Sequence, residues 1–185
     1  MIRKSVLYRK GSQWLGWLPR SLEKTRLRKL AIDPETLPPP VLLNSVPKSG
    51  THLLDQVAEA LPRTRDFHLF VASTPSITLR ERPDSQSLQL LDRMIPGERA
   101  KAHLFYKPVF AVWIRKRGAF HCFIYRDPRD LVCSEAHYFR CMNRWHRLHR
   151  YFKDLSETEA IRLAITGVPD GAWPVAYPDI GRRYG

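Results

Sequence analysis

The chain is poor in cysteine, in acidic residues and in long apolar runs. Its 185 residues hold 3 Cys and 9 Gly. Cys122, Cys133 and Cys141 form an odd set with no C-x-x-C spacing, which argues against a disulfide framework and a zinc knuckle. The expectation is reduced, buried thiols in a cytoplasmic protein. No apolar run approaches the roughly 18 residues that span a bilayer. The N-terminus is basic but lacks the uninterrupted apolar core of a secretory signal. No internal repeat or low-complexity tract is present, and no His/Cys/Asp group has metal-ligand spacing, so no metal is expected.

The shortage of acid leaves 31 Lys and Arg against 18 Asp and Glu, a net charge of +13. Residues 1–30 carry +8 of that excess. An anionic partner is implied, and charge alone does not choose among nucleic acid, anionic lipid and a phosphorylated small molecule. Residues 12–30 read as a basic amphipathic helix with Trp14, Trp17, Leu18, Leu22 and Leu30. Such a segment either packs on its own domain through those aromatics or makes peripheral contact with an anionic membrane. Asp33-Pro34 and Pro38-Pro39-Pro40 end it, because proline removes donors and disfavours helix before it.

After that break, 41–46 reads as a buried strand, 47–50 as a turn and 51–61 as a helix with apolar residues at helical spacing. Residues 62–84 contain three prolines and read as loop with short elements. A helix is expected over 85–94, a strand over 99–104, and a helix over 107–116 that ends at Gly118. The aromatic stretch 119–125 is the strongest strand. Pro128 opens a long helix running to about Lys153, on which Arg140, Arg144 and Arg147 would share one face. A last helix over 157–165 starts at Ser156 and stops at Gly167. Strands alternating with helices predict an α/β fold, three layers α/β/α around a central parallel sheet.

Two sites stand out. Lys48-Ser49-Gly50-Thr51 lies between a strand and a helix. Unpaired N–H groups at a helix N-terminus, a glycine that admits close approach, one lysine and two hydroxyls make an oxyanion cradle. The order differs from G-x-x-x-x-G-K-[ST], which argues against a nucleotide kinase. The second is Arg126-Asp127-Pro128-Arg129-Asp130 with Ser134, at the carboxyl end of the 119–125 strand, where open α/β sheets bind ligands. A bland alternative pairs Arg126 with Asp127 or Asp130.

These residues resemble the sulfotransferases that use 3′-phosphoadenosine 5′-phosphosulfate. Val46-Pro47-Lys48-Ser49-Gly50-Thr51 is similar to their 5′-phosphosulfate loop. Arg126-Asp127-Pro128-Arg129-Asp130 with Ser134, His137 and Tyr138 is similar to their 3′-phosphate motif, 78 residues further on. Lys101-Ala102-His103-Leu104 resembles their K-x-H-L segment. The resemblance covers about residues 40–167 and implies a P-loop-like nucleotide-binding architecture, with 1–39 a basic extension and 40–185 the sulfotransferase-like domain. It implies that Lys48, Ser49, Gly50 and Thr51, beside His52, hold the 5′-phosphosulfate, and that Arg126 and Ser134 hold the 3′-phosphate. His103 would be the base, Lys48 would stabilise the departing phosphate, and Lys101 would assist on the sulfuryl group. The acceptor would be a small molecule, a carbohydrate or a lipid bearing a hydroxyl or amine; phenols and peptide tyrosine stay open, and no nucleic acid is expected.

Two departures follow. The family's adenine-stacking Trp is replaced by Leu53. Relatives continue past the equivalent of Gly185 with a late basic segment that completes the 3′-phosphate site, whereas Arg182-Arg183 precede only Tyr184 and Gly185. The expectation is a shortened member, incomplete at its C-terminal end, that holds the nucleotide weakly. The rival readings are an inactive sulfotransferase-like fragment and a basic nucleotide- or nucleic-acid-binding protein.

Overall fold

A computed structural model describes residues 36–168, 177 and 179–181. The amphipathic segment at 12–30, most of the expected extension and Arg182-Arg183 lie outside the described residues. Four strands, β1 (Val41–Ser45), β2 (Arg65–Ala72), β3 (Glu98–His103) and β4 (Phe120–Ile124), form one parallel sheet in the order β2-β3-β1-β4. Helices α1 (Thr51–Ala58), α2 (Asp84–Leu91) and α3 (Pro108–Arg117) link them. Beyond β4 come α4 (Pro128–His137), a π-helical turn (Tyr138–Met142), the short α5 (His149–Phe152) and α6 (Glu157–Thr166).

Strand residues alternate between two faces, so each face needs its own cover. Leu42, Leu69, Val71, Ala100 and Ala102 point to one side, where Leu91 of α2 and Phe110 and Trp113 of α3 seal them. Val41 and Leu43 point to the other, against Leu54 and Ala58 of α1. The layering is therefore α/β/α, as expected. A further core gathers Val132 and Ala136 of α4, Phe139, Leu148, Phe152 of α5, and Ala160 and Ala164 of α6 around Tyr177.

Three expectations are corrected. The stretch expected to be loop contains β2. Its alternation of buried Phe67, Leu69 and Val71 is masked by Arg65, Asp66 and His68, and a register irregularity between Asp66 and Phe70 interrupts the pattern. The long helix after Pro128 is broken. Asn143 leaves helical conformation at φ −118°, ψ 80°, and its side chain donates to the Tyr138 hydroxyl at 2.6 Å. That break returns Leu148 and Phe152 to the core that holds Phe139. Arg140, Arg144 and Arg147 consequently share no helical face; Arg140 instead donates to the Leu155 carbonyl at 2.8 Å. The thiols are also not uniformly buried: Cys133 on α4 and Cys141 in its π extension are exposed, and Cys122 is half-buried.

Candidate functional site

The loop between β1 and α1 is tied down before it turns. Val46 N donates to the Ile124 carbonyl of β4 at 3.2 Å, and Ser49 N closes a tight turn onto the Val46 carbonyl at 3.1 Å. Lys48 and Gly50 both have positive φ, 67° and 104°. Gly50 suits that position because a residue with a side chain is strained at φ 104°. Gly50 is the N-cap of α1, and no side chain caps that helix. The first intrahelical bond runs from Leu54 N to Gly50 O, so the N-terminal dipole of α1 faces the loop. Ser49 is 7% exposed, and its hydroxyl has no partner. A buried, unpaired hydroxyl beside an uncapped helix start fits an oxyanion.

Lys48 reaches across the site. Its ammonium sits 4.2 Å from the centre of the Tyr138 ring, a cation–π contact that joins the loop to the segment after α4. Burial holds its pKa below the usual lysine value, partly offset by the charge of Glu135. Glu135 is itself buried and accepts from the Tyr177 hydroxyl at 2.7 Å.

Below the loop, the end of β1 is polar. Asn44 clamps β3 by donating to Leu104 O at 3.2 Å and accepting from Leu104 N at 2.9 Å. Ser45 Oγ lies 2.7 Å from Thr51 Oγ1 and 3.1 Å from His103 Nδ1. His103 Nδ1 is also 2.8 Å from the Ser45 carbonyl. A carbonyl only accepts, so Nδ1 carries the proton and Nε2 the lone pair. Burial depresses the His103 pKa, hydrogen bonds the ring donates to the Ser45 and Ala102 backbone oppose that, and His52 adds to the depression. His103 is therefore neutral at pH 7 and basic at Nε2.

The structure thus brings Lys48, Ser49, Gly50, Thr51 and His103 together at the carboxyl ends of β1 and β3. His52 is exposed on the first turn of α1. Arg126 stands two residues beyond β4, whose Ile124 is in register with Ser45. Its Nε meets Asp130 at 3.3 Å in a half-exposed pair, a weak tie that leaves the guanidinium able to turn. Asp127 caps α4, accepting from Arg129 N at 2.9 Å. The hydrogen bonds from the Arg129 side chain and backbone hold its carboxyl down to about 2. Ser134 is half-buried on α4.

Lys101, expected to assist on the sulfuryl group, is engaged by two carboxylates. Its ammonium is held by Asp66 at 2.6 Å and Asp55 at 3.0 Å. Burial alone would lower its pKa, but hydrogen bonds and charge from Asp66 and Asp55 outweigh that and raise it. It braces α1 and β2 against β3 instead of facing the loop. Ser45, Asn44 and Glu135 were missed from sequence. Two polar residues ending the apolar run Val41-Leu42-Leu43 were the available signal for the first two. Leu53, where the family's ring was expected, is 60% exposed beside the loop.

Among the described residues no three His, Cys, Asp or Glu side chains gather as metal ligands would, and no helix is long and apolar enough to cross a membrane. Comparison with curated protein sequences finds no match. Among solved structures the chain is similar to mouse sulfotransferase SULT7A1 complexed with PAP, at 26% identity and TM-score 0.45, over 73% of this chain and 44% of that one. The chain therefore spans less than half the length of that protein. The family model described as "Sulfotransferase domain" matches residues 38–167, well over half of the sequence. The chain belongs to the sulfotransferase domain family.

Proposed function

We propose that the protein transfers a sulfuryl group from 3′-phosphoadenosine 5′-phosphosulfate to a hydroxyl or amine acceptor. The observation that carries this reading is the unpaired Ser49 hydroxyl beside an uncapped helix start whose Thr51 is joined through Ser45 to the half-buried, neutral His103. Ser49, Thr51 and the first N–H groups of α1 bind the 5′-phosphosulfate oxygens. Lys48 leaves the Tyr138 face to meet charge that grows on the departing phosphate, where preorganised donors matter most. His103 Nε2 takes the acceptor proton as the sulfur–oxygen bond forms. Arg126 and Ser134 take the 3′-phosphate from the end of β4 and the face of α4. Lys101 works through α1 and touches neither reactant. The acceptor is a small molecule, carbohydrate or lipid bearing the nucleophile.

Calorimetry with 3′-phosphoadenosine 5′-phosphate tests the donor site. Lys48→Ala should weaken binding by about ten- to a hundred-fold, the worth of one charge-assisted contact. Arg126→Ala should weaken binding of this nucleotide but not of the analogue lacking the 3′-phosphate. Absence of binding to the unaltered chain, or equal losses for both ligands in Arg126→Ala, would refute the assignment.

A further inference from the structure

Ser45 lies between the two halves of the chemistry. Its hydroxyl is 2.7 Å from Thr51 in the loop and 3.1 Å from His103 Nδ1, and its own carbonyl is 2.8 Å from the same nitrogen. We propose that Ser45 is a positioning residue that couples the oxyanion loop to the base, its hydroxyl turning Thr51, Ser45 and His103 into one directed hydrogen-bond chain once an oxyanion fills the loop. This rests on the donor and base assignments above.

Proton direction forces the chain. Because the carbonyl of Ser45 fixes the Nδ1–H tautomer, the Ser45 oxygen is a second acceptor for that N–H, and its own proton must go elsewhere. Two outlets exist: Thr51 Oγ1, and the Ala102 carbonyl at the longer distance of 3.5 Å. Within the Ser45–Thr51 pair itself either hydroxyl can donate. An oxyanion accepts and does not donate, so Thr51 turns its proton toward the anion and its oxygen toward Ser45. Ser45 then donates to Thr51 and accepts from His103. Every donor now points at the anion, and each bond polarises the next. Electron density moves onto the imidazole, and Nε2 becomes a stronger base when the donor is in place.

The surroundings leave this route open. Phe70 of β2 presents its ring at 5.0 Å in an edge arrangement, and His52 of α1 is the titratable neighbour that acts on His103. Lys101, two residues back on β3, has its charge met by Asp55 and Asp66. Phe70 has no side-chain group to hydrogen-bond the ring, and the Lys101 ammonium is taken up by the two carboxylates.

The test is an NMR titration of the His103 ring with and without 3′-phosphoadenosine 5′-phosphate, with binding measured in parallel. The signal is assigned by its loss in His103→Gln. Bound nucleotide should raise the titration midpoint in the unaltered chain and in Ser45→Thr. Ser45→Ala keeps the direct pull of the phosphates but should lose about half a pH unit of the rise, the size of one modest hydrogen bond. Equal rises in the unaltered chain and Ser45→Ala, with both bound, overturn the coupling. A ligand-free arm guards against a Ser45→Ala variant that binds poorly. Thr51→Val should move the midpoint when Ser45 is present and leave it unmoved in the Ser45→Ala background; equal movement in both overturns the proposal. Failure of the unaltered chain to bind the nucleotide overturns the donor reading itself, which the ligand-free arm does not touch.

Discussion

His103 shows how one residue's surroundings choose its chemistry. Burial penalises the imidazolium, and its hydrogen bonds to the Ser45 and Ala102 backbone recover only part of that loss. The sign for stability follows. Above the unfolded value of about 6.5 neither state holds the proton and there is no penalty. As pH falls through 6.5 the unfolded chain gains a proton that the folded chain resists, so stability declines until the lower folded pKa is passed. Urea midpoints measured from pH 7.5 to 5.5 should therefore fall more steeply for the unaltered chain than for His103→Gln; parallel profiles would place the depression elsewhere. Turnover supplies a second check. His103→Ala should retain binding of 3′-phosphoadenosine 5′-phosphate and lose about 10²- to 10⁴-fold in kcat, the usual span for a general base. Survival of both quantities would make the histidine structural.

Among the elements, α1 matters most, because its start carries the proposed oxyanion loop. Lys101 holds it from below, reaching Asp55 on the helix and Asp66 on β2. Lys101→Met leaves two carboxylates facing each other in a partly buried site. The cost should lie between the values for exposed and buried pairs, about 1–3 kcal/mol, read as a lower urea midpoint at pH 7. If the lysine acted on the sulfuryl group, kcat would collapse while stability stayed put. A simpler element is α6, where Ser156 and Glu159 form a reciprocal capping box; Ser156→Ala should cost about 1 kcal/mol. The elements also show what sequence made legible. The apolar run into Pro47 and the glycine at the start of an amphipathic helix announce strand, loop and helix locally. The spacing from Lys101 to His103 places both on one face of β3, but the carboxylates that claim the lysine lie 46 and 35 residues away in sequence. Likewise, apolar spacing after Pro128 continues through Asn143, and only the side-chain bond to Tyr138 shows that the helix stops. Local patterns reveal what is locally determined, whereas the engagement of Lys101 depends on partners brought in by the fold.

At the scale of the whole molecule, the two halves of the proposed donor site rest on different cores. The loop and His103 are carried by the sheet with α1. Arg126 and Ser134 belong to the segment that enters the core of α4, α5 and α6. Lys48 on Tyr138 is a contact between them, and the proposed mechanism asks Lys48 to release it. A ligand with an anionic group at each end replaces that contact by bridging loop and α4 directly. Anything that binds the folded chain and not the unfolded one stabilises it by mass action, about 2.7 kcal/mol at a hundredfold excess over Kd. For a domain of this size that corresponds to a rise in Tm of about 5–11 °C. At equal concentration the analogue lacking the 3′-phosphate should give a smaller rise, because it engages the loop and leaves Arg126 unused. Arg126→Ala should narrow the gap between the two ligands, while Lys48→Ala should reduce both and keep their difference. A thermal scan of the three proteins against both ligands decides the matter. If the analogue stabilises the unaltered chain as strongly as the full nucleotide does, the α4 half takes no part in holding the donor, and the bridge between the two cores is wrong.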